Sequence, residues 1–292
     1  MFHIIHKRKL WYIISAVVII PGLISLLLQG LNLGIDFTGG NITEVRFDKE
    51  LTTEQVREVV KGQGLTDKYI QKSTGGVFLI RTEVLSEEEN EKLLSALDEE
   101  LGGMTLLRND KVGPTIGAEL TQKALMALAV ASVLIVAYVT WRFEFKQGIA
   151  AIVAILHDAM VTLGILSILQ IEINSAFVAA ILTIIGYSIN DTIVIFDRIR
   201  ENMILKKGIK YADVINISLW QTIARSINTS GTVMVVLIPM YLFGGTTIKS
   251  FILALIVGII SGAYSSIFTA SPFWYEILDK KRRQKAVQPA SS

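Results

Sequence analysis

The stretch Ala176-Phe-Val-Ala-Ala-Ile-Leu-Thr-Ile-Ile-Gly-Tyr-Ser-Ile-Asn-Asp-Thr-Ile-Val-Ile-Phe196 decides the class of this protein. It is apolar and long enough to cross a hydrocarbon core, which needs about 20 residues of helix. It nevertheless contains Asp191, and the charged run Asp197-Arg-Ile-Arg-Glu-Asn202 follows at once. An ionisable side chain in a membrane helix costs at least about 2.5–3.5 kcal/mol on insertion scales, so this carboxyl group predicts a proton, ion or substrate site.

The composition of the 292-residue chain also indicates a membrane protein. Hydrophobic residues make up 51% and charged residues 18% of the chain, and the mean hydropathy is +0.51. The sequence contains no cysteine, which excludes disulfides, thiol nucleophiles and thiolate metal sites. It contains no nucleotide-binding loop motif, so energy from ATP could reach it only through a partner. We expect no enzymatic activity, no cofactor, no metal site and no nucleic-acid partner.

Six segments predict membrane-spanning helices. They lie at 11–30, 120–140, 149–169, 176–196, 224–243 and 248–270. Lysine and arginine concentrate in the segments that would meet at one membrane side, namely 1–10, 141–148, 197–223 and 271–292. Because basic loops stay in the cytoplasm, both termini are predicted to be cytoplasmic. The 197–223 segment reads as an amphipathic cytoplasmic loop and 271–292 as a basic tail, disordered after about residue 280.

The 31–119 segment has the composition of a soluble domain on the opposite, extracytoplasmic side. Alternating apolar residues predict strands at 41–47, 68–72, 77–82 and 104–108. Helices are predicted after the caps Thr52 or Thr53 and Ser86, and Gly75-Gly76 predicts a hairpin turn. The order βαββαβ is ferredoxin-like. The predicted fold is therefore a multi-pass α-helical membrane protein with six transmembrane helices and an extracytoplasmic α+β ferredoxin-like domain between helices 1 and 2.

A polar face accompanies Asp191 on the fourth predicted span. Thr183 and Tyr187 precede it at spacings of four residues, which places the three side chains on one side of a helix, with Asn190 beside them. The aspartate lies five residues before Phe196. At 1.5 Å per residue, this is about 8 Å inside the predicted cytoplasmic end of the span.

The fifth predicted span carries a matching polar face. Arg225, Asn228 and Thr229 are spaced i, i+3 and i+4. Since this span runs in the opposite direction, Arg225 is predicted at the depth of Asp191. An ion pair between them suits a proton relay, because protonating the acid would release the arginine. A static ion pair, or an arginine that extends to the membrane surface, is the structural alternative.

His157-Asp158 is a second ionisable pair, near the middle of the third predicted span. The carboxyl group of Asp158 could take part in proton movement, or it could brace a neighbouring helix through Asn or Ser contacts. One histidine beside one aspartate is too little for a metal site.

Three features together resemble one known family over nearly the whole chain. They are Gly34-Ile-Asp-Phe-Thr-Gly-Gly40 after the first span, the βαββαβ segment, and Gly186-Tyr-Ser-Ile-Asn-Asp-Thr-Ile-Val-Ile-Phe-Asp-Arg-Ile-Arg-Glu-Asn202. The chain resembles the SecD/SecF family of bacterial protein-export subunits, in the resistance-nodulation-division superfamily. Gly34, Gly39 and Gly40 permit positive φ and close backbone approach, so with Asp36 they are expected to fix the domain against the membrane.

The resemblance implies a partner and an energy source. A SecF-like chain in the bacterial cytoplasmic membrane is expected to join SecD and to use the proton-motive force to promote late translocation of polypeptides through SecYEG. YajC and YidC are further possible partners. SecF-like proteins are also expected to use positions matching Asp191 and Arg225 in proton transport, and Asp158 is a third candidate.

Two other functions compete with export. A half-size proton-driven exporter of lipids or small molecules would belong to the same superfamily, but six spans look like one half of a transporter built from two repeats. An intramembrane aspartyl protease could use Asp158 and Asp191, two carboxyl groups that would share a proton. The Gly-x-Gly-Asp signature expected of such a protease is missing before Asp191.

Overall fold

The computed structural model describes residues 3–65 and 69–287. The chain forms two compact units, one of Met1–Asn32 with Ala127–Ser292 and one of Leu33–Met126. Within the described residues, six helices are long and apolar enough to cross a membrane, as predicted: Ile5–Leu28, Pro114–Arg142, Phe145–Ile168, Ser175–Leu205, Tyr211–Phe243 and Thr247–Asp279. The chain is a multi-pass membrane protein.

The elements are named here in chain order. The helices are α1 (Arg8–Leu28), α2 (Ile35–Thr38), α3 (Thr53–Gly62), α4 (Glu87–Leu101), α5 (Pro114–Arg142), α6 (Phe145–Ile168), α7 (Ser175–Leu205), α8 (Tyr211–Phe243), α9 (Thr246–Ser265) and α10 (Ser271–Val287). The strands are β1 (Gly40–Phe47), β2 (Tyr69–Lys72), β3 (Val77–Thr82) and β4 (Met104–Val112). One π-helical turn, Ser266–Ala270, joins α9 to α10.

The segment 197–223, predicted as an amphipathic loop between two spans, is mostly helical and continues the two spans. Helix α7 has 31 residues and α8 has 33, so each is about 46–50 Å long and exceeds the roughly 30 Å hydrocarbon core. The extensions pack on each other: Asn202 Nδ2 donates to Ser218 Oγ at 2.8 Å and to Gln221 Oε1 at 2.7 Å. Only the short connection between the two helices, 206–210, is not helical.

The predicted tail is also largely helical, since α10 continues to Val287. Trp274 of α10 is 2% exposed, and its ring lies 5.0 Å from that of Phe196 on α7. This contact belongs to a buried apolar cluster that includes Ile5 before α1 and Ile215 of α8. Burial of Trp274 attaches the first part of α10 to the helix bundle, and the described helix continues beyond residue 280, where disorder was predicted. The residues after Val287 lie outside the described part of the chain.

The second unit has the predicted ferredoxin-like fold. Its four strands are antiparallel in the order β2-β3-β1-β4, which two βαβ crossovers produce when their strands interleave. Lys68, in the predicted second strand, lies outside the described residues. Gly75 and Gly76 have φ of +76° and +72°, so the predicted turn uses the left-handed conformations that glycine favours.

Helices α3 and α4 begin with capping boxes, as their sequences predict. The Thr52 hydroxyl accepts from Gln55 N, and the Ser86 hydroxyl accepts from Glu89 N. In return Glu89 accepts from the backbone N–H and the hydroxyl of Ser86, which lowers the pKa of its carboxyl group. Apolar side chains of both helices, among them Val60 and Leu93, cover one face of the sheet around Phe78.

Glycine permits two very close helix contacts in the membrane unit. A Cβ atom on Gly22 of α1 would lie 2.7 Å from Gly164 Cα of α6. A Cβ atom on Gly258 of α9 would lie 2.3 Å from Ile184 Cδ1 of α7. Gly258 belongs to the small-residue ridge Ala254-xxx-Gly258-xxx-Gly262, and such ridges allow helix backbones to approach in membranes.

Replacing Gly164 by alanine is expected to lower the thermal stability of the purified chain in detergent. The new methyl group would meet backbone atoms of α1, which cannot rotate away, and overpacking of this kind costs about 1–3 kcal/mol. Gly231→Ala is the matched control, since a Cβ atom at this helical glycine of α8 meets nothing within 4 Å. Equal unfolding temperatures for the two variants would contradict the α1–α6 contact.

Candidate functional site

Asp158 of α6 is the most extensively bonded carboxylate in the described part of the membrane unit. Its Oδ2 accepts from Ser188 Oγ of α7 at 2.6 Å and from Ser265 Oγ of α9 at 2.7 Å. Its Oδ1 accepts from Ser261 Oγ of α9 at 2.6 Å. The residue is 1% exposed. A buried carboxylate with donors on both oxygens keeps its charge at a tolerable cost, so this group can hold three helices together.

His157 extends this cluster to a fourth helix. Its Nδ1 lies 3.0 Å from Asp158 Oδ1, and its Nε2 lies 3.0 Å from Ser15 Oγ of α1. The ring of Tyr264 stacks on the imidazole with the centroids 5.8 Å apart. The Tyr264 hydroxyl donates to the carbonyl oxygen of Trp11 on α1 at 2.8 Å. The pair predicted from the sequence is therefore the centre of a network that joins α1, α6, α7 and α9.

Asp191 of α7 is held very differently. Its Oδ1 accepts from Ser226 Oγ of α8 at 2.6 Å. Its Oδ2 is enclosed and has no donor within hydrogen-bond distance among the described residues, although the hydroxyl of Ser266 acts on this carboxyl group from slightly farther away. A buried oxygen without a donor costs about 1–3 kcal/mol, and more for a charged group. This carboxyl group is poorly suited to a permanent charge, and a proton on Oδ2 would remove the cost of burying that charge.

The predicted ion pair between Asp191 and Arg225 is wrong for this conformation. No nitrogen of Arg225 lies within 4.0 Å of an acidic oxygen of the described residues, although its charge acts on Asp191 from a greater distance. Ser226, the next residue, makes the contact instead. Consecutive helical residues point about 100° apart, so the depth was predicted correctly and the rotation of α8 was not.

Arg225 lines a cavity between the ends of α7 and α8. The cavity has a volume of about 530 Å³, and its other lining residues are Val194, Asp197, Arg198, Glu201, Gln221 and Thr222. Charged and amide side chains make up most of this wall, which favours water inside it. Arg225 therefore lies between a polar cavity on one side and the residue that bonds Asp191 on the other.

The polar faces predicted on the fourth and fifth spans are directed outward. Thr183, Tyr187 and Asn190 of α7 are exposed, as are Arg225 and Asn228 of α8, whereas Thr229 is half-buried. The hydroxyls of Thr183 and Thr229 return to their own helices, to the carbonyl oxygens of Ala179 and Arg225. Asp191 is half-buried and lies where this exposed polar face meets the contact between α7 and α8.

The glycine motif after α1 forms a tight turn that opens β1. Gly39 and Gly40 have φ of +70° and +137°, as predicted, but Gly34 has an ordinary φ of −73°. A Cβ atom on Gly40 would lie 2.7 Å from the Thr82 carbonyl oxygen, and one on Gly39 would lie 3.3 Å from Pro114 Cα. Asp36 sits in the single turn α2, which the motif closes. Close approach to the start of α5 explains Gly39, and close approach to the end of β3 explains Gly40.

Sequence reasoning missed the serines that bind the two carboxylates. A signal was present, since Ser261 and Ser265 are four residues apart in an apolar span and so share one helix face. Ser188 is a single serine in its turn. Ser226 shares a helix face with Ser230, and this spacing does not identify which of the two bonds Asp191. Only the packing of the helices identifies them.

Two family models match the chain. The model described as "Protein export membrane protein SecD/SecF, C-terminal" matches residues 93–280. The model described as "SecD/SecF GG Motif" matches residues 24–50 and so includes the glycine turn. Together they cover both units of the structure.

Similar proteins carry consistent names. "Protein translocase subunit SecF" from Sebaldella termitidis is 43% identical over 284 residues, which cover 95% of this chain and 92% of that protein. "Protein translocase subunit SecDF" from Bacillus subtilis is 41% identical over 97% of this chain and 39% of its own length. The crystal structure of SecDF, a translocon-associated membrane protein from Thermus thermophilus, superposes with a TM-score of 0.88 at 34% identity. This chain spans 39% of that SecDF chain.

Asp158→Ala is expected to destabilise the chain markedly. The change removes the acceptor for the hydroxyls of Ser188, Ser261 and Ser265, and an unsatisfied buried polar group costs about 1–3 kcal/mol. Asp158→Asn keeps one acceptor oxygen and should lose less. Thermal unfolding in detergent would measure both, with Asn190→Ala on the exposed face of α7 as the control. Similar unfolding temperatures for Asp158→Ala and the control would rule out the brace.

Proposed function

Since the chain belongs to the SecD/SecF family of protein-export membrane proteins, we propose that it acts with SecD to promote late translocation of polypeptides. The proton-motive force across the bacterial cytoplasmic membrane supplies the energy. Both termini and the basic ends of α7 and α8 face the cytoplasm, and the ferredoxin-like unit lies on the outer side. The distribution of lysine and arginine supports this orientation.

The observation that carries the proposal is the unpartnered Oδ2 of Asp191. A carboxyl group with one satisfied and one unsatisfied buried oxygen stabilises its charge less than a fully bonded carboxylate does, so it can take up a proton with fewer bonds lost. Ionised, it keeps the Ser226 hydrogen bond and attracts Arg225; protonated, it loses that attraction. Proton uptake and release at this oxygen therefore changes the force between α7 and α8.

Arg225 and its cavity provide the route to the cytoplasmic side. Protonation of Asp191 leaves the guanidinium free to turn toward Asp197 and Glu201 in the cavity wall. Release of the proton draws it back toward Asp191. One charge moved through the field is worth about 2.3 kcal/mol per 100 mV, which is enough to drive such a rearrangement.

Asp158 has the opposite character and acts as the fixed point of the bundle. Three serine hydroxyls and His157 Nδ1 contact its two oxygens, so a movement of this side chain would break bonds to several helices at once. Of the three candidates for the relay, Asp191 and Arg225 carry the moving charge, and Asp158 positions the helices between which it moves.

The exposed polar face of α7 and α8 supports a partner inside the membrane. Tyr187, Asn190 and Asn228 would otherwise face lipid, which cannot satisfy their hydrogen bonds. The Bacillus subtilis relative named SecDF is one polypeptide about two and a half times as long as its match to this chain. By analogy, SecD covers this face here, and groups on SecD complete the proton path. SecYEG, with YajC and YidC, supplies the channel and the polypeptide.

Asp191→Asn is expected to abolish the proton-dependent stimulation of export while leaving the chain folded and bound to SecD. The amide cannot ionise, so the force between α7 and α8 no longer responds to the proton gradient. Late-stage translocation in energised inverted vesicles is the measurement. Asp158→Asn is the control, because it also neutralises a buried carboxyl group. Its main expected effect is a lower unfolding temperature. Full stimulation of export by the Asp191→Asn protein would falsify the relay.

Arg225→Met should impair the same stimulation, and Arg225→Lys should keep part of it. Methionine retains the apolar stem but has no charge to respond to Asp191, whereas lysine retains the charge without the planar guanidinium. Translocation assays of both variants beside wild type separate the contribution of the positive charge from that of the planar guanidinium group. If both export normally, the arginine serves only to reach the membrane surface.

Copurification tests the partner independently of the relay. The tagged chain, extracted from membranes in mild detergent, should bring SecD with it, and replacing Tyr187, Asn190 and Asn228 by leucine should weaken that association. The leucine variant should still fold, because all three side chains are exposed. Recovery of the chain without SecD or channel subunits would favour the small-molecule exporter.

A further inference from the structure

A second cavity, of about 730 Å³, lies at the end of the membrane unit where α7 ends and α8 begins. Its described lining residues include four lysines and no acidic residue: Lys146, Met203, Lys206, Lys207, Gly208, Ile209, Lys210, Tyr211, Val214 and Leu278. They come from α6, from α7 and its connection to α8, from α8 itself and from α10. The cavity is separate from the one lined by Arg225, and the export mechanism does not use it.

The four lysines have no acidic partner among the described residues. None of Lys146, Lys206, Lys207 and Lys210 forms an ion pair there within 4.0 Å, although Arg142, Arg198 and Arg200 near the same end all do. Lys146 and Lys206 are moreover half-buried. Cations that converge on a partly desolvated cavity without counter-ions repel each other, and an anion inside the cavity would relieve this repulsion.

The backbone adds to the positive potential. Helix α8 begins at Tyr211 in the cavity wall, and no side chain caps its N-terminus. The N–H of Asp213 donates to the carbonyl oxygen of Lys210, which leaves the N–H groups of Tyr211 and Ala212 at the start of this helix for an acceptor. The helix dipole favours negative charge at this end, where Asp213 of the first turn is the nearest carboxylate in sequence. Four ammonium groups and a helix N-terminus around one cavity fit a phosphate group.

Exposed apolar side chains near the lysines indicate what kind of molecule would carry the phosphate group. Ile204, Leu205 and Ile209, beside the lysines in sequence, are 69%, 70% and 45% exposed. Trp141 and Phe145, next to Lys146, are 83% and 78% exposed. Exposed aliphatic and aromatic residues beside basic ones are typical of the boundary between headgroups and acyl chains. A ligand that meets both needs a phosphate and hydrocarbon tails.

We propose that this cavity binds the phosphate headgroup of an anionic phospholipid, with the acyl chains lying on the exposed apolar residues. A lipid held between α6, α7 and α8 would attach the connection between α7 and α8 to the membrane surface. This connection would then stay in place while the helices move. A nucleic acid or an acidic protein segment would use the lysines but would leave Ile204, Leu205, Trp141 and Phe145 in water.

Native mass spectrometry of the full chain in detergent tests the site. The chain should retain phosphatidylglycerol in preference to phosphatidylcholine, and Lys146→Gln/Lys206→Gln/Lys207→Gln should weaken phosphatidylglycerol binding at least about tenfold. The matched control, Lys9→Gln/Lys123→Gln/Lys249→Gln, removes the same charge from residues outside the cavity and should bind like wild type. The arginine variant Lys146→Arg/Lys206→Arg/Lys207→Arg should also retain binding, which excludes misfolding as the cause of a loss.

Each other outcome overturns the proposal. Equal binding of phosphatidylcholine would mean that only the apolar surface attracts lipid. Inorganic phosphate that competes as well as phosphatidylglycerol at equal concentration would assign the cavity to a free anion. Displacement of the lipid by a polyaspartate peptide or an oligonucleotide at equal charge would assign it to an acidic macromolecule. A loss in the control variant equal to that in the cavity variant would show that total charge alone matters.

Discussion

The membrane unit depends on the requirement that every polar group buried among apolar helices must find its partner inside the protein. Asp158 meets this requirement most completely, because its two oxygens take hydroxyl donors from α7 and α9 while His157 reaches α1. Such bonds are directional, so they fix the rotation of each helix about its axis. Apolar packing alone would leave these rotations poorly defined, since the spans are apolar on all sides.

Asp191 is informative because it meets the same requirement only in part. One oxygen is bonded to Ser226, and the other has no donor in the described residues. Two carboxylates in the same bundle therefore occupy opposite positions, one saturated and rigid, the other with a vacant acceptor. A machine that converts proton movement into helix movement needs both: a site whose protonation is cheap, and a frame that does not yield when it happens.

The sequence alone predicts the six spans, the ferredoxin-like order, and the importance of Asp158 and Asp191, because hydropathy, alternation and the cost of a buried charge are properties of the chain itself. It does not predict the donors. The hydroxyls around Asp158 lie 30 to 107 residues away along the chain, and helix rotation decides which of them arrive. For the same reason the ion pair expected at Asp191 was displaced by one residue, from Arg225 to Ser226. The full length of α7 and α8 was not predicted because charge was read as the end of a span, whereas apolar residues of the two helices such as Ile199 and Ile215 are buried in one cluster.

The glycine contact between α1 and α6 cannot form during synthesis until α6 has been made. Ser25 and Ser167, which bond beside it, are 142 residues apart in sequence, with the whole ferredoxin-like unit in between. At about 5–20 residues per second, α1 waits about 7–30 s in the bilayer before α6 has been synthesised. During this interval its flat glycine face and the hydroxyls of Ser15 and Ser25 have only lipid or the insertion machinery around them. Helix α1 therefore gains its contact with α6 only after a whole soluble domain has been synthesised, and its stability in the bilayer during that interval cannot depend on this contact.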